Sequence, residues 1–477
     1  MGSMSGDPNF APLDCRAGSS SYRLGGRSAT VPETESDVGA TVTRELEPGG
    51  TVRLLGSGLE CRVDALIGIG GEGTVYEVTL QPDGRRFALK WYHPEWCTRA
   101  RWDSIEKLVE IGAPDQRFIW PMDLAVDDND RFGYLMRLLD KDRYAEMSDH
   151  MSRRIDPRLR ELATAGMELA DSFLQLHTKG LCYRDISFGN VFLDPTTGAI
   201  LICDVDNVGV DGTPSGVLGT HYFMAPEILR REAAPSIRTD RFSLAVLLFY
   251  MLMLNHPLLG KRETEAECLG TTELARLCGE DPVFIFAPDD ESNRPVPGQH
   301  DNALTFWPVY PQYIRKLFTR AFTTGLVDPT HGRVSEGEWR RALARLRDSV
   351  TVCGLCRQQN FRDAAAPQPQ LCCNPRCGLQ LAPTPRLVLE GGEVVLSDGA
   401  ALYPHHIGNR LFDYSVPRAT VSQHPTYDLA GLRNASDQTW VATGPDGSVH
   451  EVTPGRAVGI VPGTRLAFGP VEGTIEA

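Results

Sequence analysis

At 477 residues the chain exceeds what one hydrophobic core organises, and about two to four domains of ordinary size fit it. Its 42% apolar and 23% charged content is that of a globular protein and excludes a collagenous or wholly disordered chain. A net charge of −14 argues against a nucleic-acid or anionic-membrane surface as the main partner. The longest apolar run, Leu244–Leu254, has eleven residues where a spanning helix needs roughly twenty, so it reads as a buried core helix. The amino terminus shows no basic-then-apolar leader, and a soluble, cytoplasmic protein is expected. Of twelve cysteines, seven are scattered singly and five cluster within Cys353–Cys377. The scattered ones read as reduced core residues.

Residues 1–45 are rich in Gly, Ser, Pro and Thr without apolar period, the composition of a disordered arm. Short β-like runs follow at Thr51–Leu55 and Cys61–Leu66. Next comes a glycine-rich turn with Gly68, Gly70 and Gly73, continuing through Val75 to Leu80. The β-branched residues after it predict strand–loop–strand, not the strand-to-helix turn of a dinucleotide site. Glycines there let backbone amides approach phosphates unobstructed. The apolar strand Phe87–Ala88–Leu89 ends in Lys90, and a helical pattern at Ser104–Ile111 carries Glu106 and Glu110. Strands are predicted over Phe118–Leu124 and Arg131–Leu139, the second containing Met136. Apolar spacing from Leu159 to Leu176 predicts a core helix within Pro157–His177.

The stretch Leu181–Asp206 then places Asp185, Asn190 and Asp204 around a strand–turn–strand pattern. A carboxylate, an amide and a second carboxylate at those spacings suit phosphoryl transfer, in which one group orients a hydroxyl and two hold magnesium on a nucleotide's phosphates.

These motifs resemble those of the protein-kinase family, G-x-G-x-x-G-x-V, V-A-I-K, H-R-D-x-x-x-x-N and D-F-G. The resemblance implies ATP and Mg²⁺ as cofactors. Gly68, Gly70 and Gly73 would cover the phosphates, with Val75 above adenine, Ala88 beside it and Met136 near the back of the pocket. Lys90 would pair the phosphates and be fixed by Glu106, favoured on spacing, or by Glu110. Asp185 matches the base, and Asn190 and Asp204 the magnesium ligands. Met224-Ala225-Pro226-Glu227 resembles the end of an activation segment. Asp240 resembles the buried aspartate supporting the catalytic loop, and Arg333 the arginine paired with Glu227. Arg184 is kept, and Thr213, Ser215 and Thr220 are candidate phosphoacceptors.

Four positions depart from the pattern. Tyr183 replaces a histidine, and Ser187 stands where serine/threonine kinases carry a lysine. Val205 and Asp206 replace the Phe and Gly of D-F-G. Asp206 reads as an acid anchoring a turn, with a third metal-side group as the alternative.

The segment Asp281–Arg294 with Trp307 and Pro308 resembles bacterial kinases of the eukaryotic type encoded beside a 2C-type phosphatase and a von Willebrand A protein. Beyond the kinase core, Cys353 and Cys356, then Cys373 and Cys377, suit two turns presenting four thiolates to one structural Zn²⁺, with Cys372 as the alternative to Cys373. From Pro385, short runs broken by Gly and Pro imply a β-sandwich. It resembles a divergent forkhead-associated domain, with Ser422, Asn434 and Ser436 as transferable positions, and protein docking without phosphate binding is favoured.

The sequence therefore predicts an α+β chain. A disordered arm (1–45) precedes a two-lobed kinase (46–348, lobes about 50–137 and 138–348), a zinc ribbon (349–382) and an all-β sandwich (383–477). The expected reaction is transfer of the ATP γ-phosphate to serine or threonine of a protein, with no nucleic-acid or membrane partner. The rivals are a nucleotide-binding scaffold and a small-molecule kinase.

Overall fold

Apolar and polar residues alternate along Thr51–Leu54 and the first half of Glu60–Ile69, so each strand buries one face. The computed structural model describes residues 46–477, apart from 128, 130, 214, 215, 217, 267, 268, 364–368, 409, 411 and 424–429. The predicted arm lies outside the described residues. Strands β1 (Thr51–Leu54), β2 (Glu60–Ile69), β3 (Gly73–Leu80), β4 (Arg86–Tyr92), β5 (Asp123–Val126) and β6 (Phe132–Met136) form the N-lobe. They close into a barrel in the order β1-β2-β3-β4-β6-β5, with β5 returning to β1. Val52, Leu54, Val63, Tyr76, Val78, Leu89 and Trp91 fill its interior. Gly133 lets β6 approach β4, since a Cβ there would stand 2.1 Å from the Lys90 carbonyl oxygen.

Helix α1 (Arg99–Ile111) starts on Thr98, whose side chain accepts from the Arg101 amide, and stops at Gly112 with φ 67°. It begins five residues before the predicted Ser104, because its polar first turn carries no apolar period. The predicted strand Phe118–Leu124 is mostly a lobe crossing. Phe118 makes one parallel bridge to Ile202, while Phe118 and Trp120 bury in the C-lobe core. Only from Asp123 does the chain join the barrel.

The C-lobe contains β7 (Ala145–Glu146), α2 (Met147–Met151), α3 (Leu159–Thr178), β8 (Leu181–Cys182), β9 (Val191–Leu193), β10 (Ile200–Ile202), β11 (Gly209–Val210), α4 (Pro226–Leu229) and α5 (Ile237–Met253). A capping box of Ser236 and Thr239 opens α5, and every residue from Leu244 to Met253 is buried. That is why the run is apolar all round: it is surrounded by protein. Phe284, Phe318 and Phe322 pack on Phe249, with ring centroids 5.1–5.8 Å apart. The segment Asp281–Arg294 is folded into this core. Phe284 and Ile285 are buried, and the Asn293 amide donates to the Leu258 and Val283 carbonyls. No helix among the described residues is long and apolar enough to cross a membrane.

After helix Glu336–Asp348, β12 (Val350–Val352) and β13 (Gln359–Phe361) form a hairpin whose turn holds Cys353 and Cys356. The C-terminal β-rich region comprises β14 (Arg386–Leu389), β15 (Gly392–Val395), β16 (Ala401–Leu402), β17 (Ala419–Gln423), β18 (Ala430–Asn434), β19 (Trp440–Thr443), β20 (Val449–Val452), β21 (Ala457–Gly459), β22 (Arg465–Ala467) and β23 (Glu472–Glu476). A six-stranded sheet, β15-β14-β23-β22-β19-β20, and a four-stranded sheet, β16-β17-β18-β21, share one core that includes Leu387, Leu432, Trp440 and Leu466. This region is fastened to the back of the C-lobe. His406 Nε2 lies 3.0 Å from Asp348 Oδ2, and Arg347 sits 4.4 Å from the Tyr403 ring centroid and 4.8 Å from that of Tyr414. The Ser397 hydroxyl donates to the Val350 carbonyl at 2.6 Å.

Candidate active site

The cleft between the lobes gathers residues from four local devices. The first is the β2–β3 turn. Gly68 stands opposite Val75, and neither Gly68 nor Gly71 has an atom within 4 Å of where a Cβ would be, which leaves the turn open to a ligand. Gly73 has a different reason: its Cβ would collide with the Trp91 carbonyl oxygen at 2.3 Å. The turn is tethered by Glu72, which pairs with Arg101 of α1 at 3.0 Å, and by His93, whose Nε2 lies 3.0 Å from the Gly70 carbonyl oxygen.

The second is the barrel wall. In the β3–β4 and β4–β6 registers Val75 faces Lys90 and Ala88 faces Met136, so the four predicted nucleotide contacts share one wall. Lys90 reaches from it to Asp204 Oδ1 at 2.8 Å and Asp206 Oδ2 at 2.7 Å. Burial works against its charge, but these two carboxylates outweigh it and hold its pKa above the usual lysine value. The pairing of Lys90 with Glu106 or Glu110 is corrected here. Both glutamates are exposed on α1, and among the described residues no hydrogen bond or ion pair joins either to Lys90. Helix α1 instead turns Arg101 towards the cleft, donating to the Asp206 carbonyl at 3.2 Å.

The third device is the β9–β10 hairpin. Ile202 pairs with Val191, and the Cys203 amide donates to the Asn190 carbonyl at 2.9 Å, which sets Asn190 beside the residue preceding Asp204. Asp204 adopts a left-handed backbone, φ 52°, and its side chain is 44% exposed. Asp206 lies fully buried two residues on. The two acids of Asp-Val-Asp therefore have opposite fates: one faces the cleft and the other the core. Asp206 accepts hydroxyls from Tyr92 at 2.6 Å and from Tyr134. Burial opposes its ionisation, but Lys90 and the two hydroxyls keep it below the ordinary carboxylate range. Both of its oxygens go to side chains of the barrel and none to a nearby backbone amide, so it does not anchor a turn, which corrects that reading of its spacing.

The fourth is the catalytic loop. Asp240 of α5 accepts from the backbone amides of Tyr183 and, at 2.9 Å, Arg184. The Tyr183 hydroxyl donates to the Cys203 carbonyl, so this replacement for histidine ties the loop to the residue before Asp204. Ser187, in the place of the usual lysine, is buried. The Asn190 amide donates to the Asp185 carbonyl at 2.8 Å. Burial pushes the Asp185 carboxyl up and the Asp204 charge adds to this, while the Thr220 hydroxyl, donating at 2.8 Å, opposes it. Thr213 Oγ1 accepts from Arg184 at 2.7 Å, and Ser215 lies outside the described residues. Arg333 reaches Glu227 at 2.8 Å, with side-chain exposures of 2% and 12%.

Asp240 itself rests on a buried ion cluster. His177 Nε2 lies 3.2 Å from Asp240, and its Nδ1 lies 2.6 Å from Glu336, which also pairs with Arg241 at 2.7 Å. Burial lowers the imidazole pKa, but the two carboxylates override it and raise it to about 9. Because the folded value exceeds the unfolded one, this stabilisation is complete below pH about 6.5 and fades as pH climbs through about 9. It is worth about 3 kcal/mol. Urea midpoints should therefore fall between pH 6 and 9, and His177→Gln should flatten that slope.

The hairpin's Cys353 and Cys356 meet Cys372 and Cys377 from the chain that follows, with the four sulfurs all within 4.8 Å of one another. Cys373 does not join them: its thiol faces the Gln359 carbonyl at 3.4 Å. This corrects Cys373 to Cys372. Neighbouring residues in extended chain point to opposite sides, and hydrogen bonds from the Cys372 amide to Leu379 and from the Cys373 amide to Asn360 fix which side each takes. In the C-terminal region Asn434 is fully buried and donates to the Gln438 and Val452 carbonyls. Its oxygen accepts from the half-buried Ser436. Ser422 donates to the Gly431 carbonyl.

The two-lobed fold thus brings together a lysine, a loop carboxylate and a second acid, the groups that the phosphoryl-transfer template uses. The comparisons agree. The sequence model of the protein kinase domain matches residues 61–301, just over half of the chain, and the chain belongs to that family. It is 25% identical over 203 residues to the human beta-adrenergic receptor kinase 1, covering 41% of this chain and 29% of that protein. It is 26% identical over 231 residues to protein kinase MCK1 of Saccharomyces cerevisiae, 46% of this chain and 60% of that one. Serine/threonine-protein kinase sck2 of Schizosaccharomyces pombe is 28% identical over 200 residues, 39% and 30% of the two chains. The chain thus spans less than a third of the receptor kinase's length.

Proposed function

We propose that the protein is an ATP- and Mg²⁺-dependent serine/threonine protein kinase. The observation that supports this reading is the chain of contacts that runs from Lys90 to Asp204 at 2.8 Å, from the Cys203 amide to the Asn190 carbonyl at 2.9 Å and from the Asn190 amide to the Asp185 carbonyl at 2.8 Å. The donor set suits Mg²⁺, a hard cation that takes carboxylate and amide oxygens. Asp204, with its half-exposed carboxylate, and Asn190 would hold it, and bound there it would neutralise charge on the phosphates. Lys90 binds phosphate oxygens, and the open glycine turn brings backbone amides over them. Asp185 orients the acceptor hydroxyl and takes its proton, and burial shifts its carboxyl in the direction that favours accepting one. The Thr220 hydroxyl occupies Asp185 and yields to the acceptor.

The four gathered thiolates suit a structural Zn²⁺ with no open coordination position. The C-terminal region is proposed as a docking module, because Asn434 and Ser436 are consumed by internal hydrogen bonds. The likeness of Asp281–Arg294 to bacterial eukaryotic-type kinases supports a role in bacterial signalling, with a von Willebrand A protein and a 2C-type phosphatase as partners. The test is incubation with γ-labelled ATP and Mg²⁺, wild type against Asp185→Ala, followed by phosphosite mapping. Label on serine or threonine that the variant fails to deposit supports the reading. Equal labelling by both defeats it.

A further inference from the structure

Lys90 takes its fully buried carboxylate from the segment that carries Asp204, not from α1. Asp206 stands where the family pattern has glycine, and both of its oxygens are used by side chains of the barrel. Oδ2 meets Lys90 Nζ at 2.7 Å and the Tyr92 hydroxyl at 2.6 Å, while Oδ1 accepts from Tyr134. Tyr92 follows Lys90 by two residues on β4 and so leaves the same face, and Tyr134 stands opposite Lys90 in the β6 register. A buried carboxylate is costly unless paired and hydrogen-bonded, and three donors from two strands supply that here. An acid anchoring a turn would instead spend its oxygens on nearby backbone amides. Arg101 of α1 reaches the Asp206 carbonyl and Glu72 of the glycine turn, which puts a cation where a glutamate was expected.

We propose that Asp206, and neither glutamate of α1, is the positioning residue that holds Lys90 in its phosphate-binding pose. The assignment rests on the kinase reading of Lys90. It makes the pose of Lys90 follow the 204–206 segment, so that displacement of α1 leaves the ion pair intact.

The test uses the full chain and reads kcat, KM for ATP, and Mg·ADP affinity by calorimetry. Asp206→Asn should lower kcat about a hundredfold, the scale of a misplaced reacting group, with acceptor KM unchanged. Glu106→Gln and Glu110→Gln should stay within about twofold of wild type, as solvated side chains do. Lys90→Met combined with Asp206→Asn should be no slower than Lys90→Met alone, because the two act as a unit. A further loss in the double variant would show a merely structural role and overturn the proposal. So would an Asp206→Asn rate within about threefold of wild type, or an equal loss in either glutamate variant. Should Asp206→Asn fail to fold, Tyr92→Phe with Tyr134→Phe keeps the carboxylate but removes the two hydroxyls that fix its position against Lys90. A fall of about tenfold in kcat supports the assignment, and an unchanged kcat overturns it. A wild type that binds Mg·ADP but transfers nothing defeats the kinase reading alone. Affinity then decides: binding weakened about fivefold in Asp206→Asn but not in Glu106→Gln supports the assignment, and equal binding overturns it.

Discussion

Asp204→Ala is expected to lower phosphoryl transfer by about a thousandfold or more, and to remove most of the Mg²⁺ dependence of nucleotide binding. The size follows from the charge involved, since a metal on the phosphates stabilises the transition state by several kcal/mol and Asp204 is the proposed carboxylate that holds it. The fold should survive. Asp204 is 44% exposed, and Lys90 keeps Asp206 when it is lost, so no buried charge is left unpaired. Unfolding free energies within about 1 kcal/mol of wild type, combined with the kinetic loss, would separate a chemical role from a structural one. A variant that keeps its Mg²⁺-dependent rate would remove Asp204 from the site.

If the proposed Zn²⁺ is bound, Cys372→Ser is expected to release it and destabilise the C-terminal part of the chain by about 3–5 kcal/mol, whereas Cys373→Ser should cost about 1 kcal/mol or less. The sulfurs of Cys353 and Cys377 stand 3.7 Å apart, and those of Cys356 and Cys372 stand 3.6 Å apart. A disulfide would bring sulfurs to about 2.05 Å, and four thiolates about 2.3 Å from one tetrahedral centre lie about 3.8 Å apart. These two spacings, with all four sulfurs within 4.8 Å of one another, are too long for a disulfide and fit the proposed four-ligand centre. The hairpin also carries Val350 and Phe361, which belong to the main core, so loss of the metal should loosen the seam between the kinase lobes and the C-terminal sheets. Metal content by mass spectrometry and urea unfolding followed by tryptophan fluorescence check both variants. Full metal occupancy in Cys372→Ser would refute the ligand set.

Much of the site is legible in the sequence because its parts are local. The glycine turn, Lys90, Asp185, Asn190 and Asp204 lie in short runs with fixed offsets, and each run folds as its own strand, turn or loop. The same holds for the all-round apolar run of α5, whose burial needs no partner to be identified. Sequence does not settle which distant groups meet. Spacing along a helix favours Glu106, but the face α1 turns inward depends on the barrel it packs against, and that face carries Arg101. Asp206 is visible as an acid in a glycine's place. The signal that could have placed it is that a new carboxylate needs donors, and Tyr92 stands two residues past Lys90 on the same face. Cys372 and Cys373 are adjacent, so spacing does not choose between them; the hydrogen bonds to Leu379 and Asn360 do. The strand expected at Phe118–Leu124 fails for a similar reason, because apolar residues crossing between lobes bury themselves without a strand partner on each side.

If one cleft passes the terminal phosphate of ATP to a protein hydroxyl, the transferred group must be recoverable on the acceptor. A single-turnover experiment with γ-labelled ATP, Mg²⁺ and the wild-type chain, followed by acid hydrolysis, identifies the labelled amino acid. Label recovered as phosphoserine or phosphothreonine is the expected result. Tight Mg·ATP binding with all label remaining on nucleotide, or released only as inorganic phosphate, would refute the kinase reading.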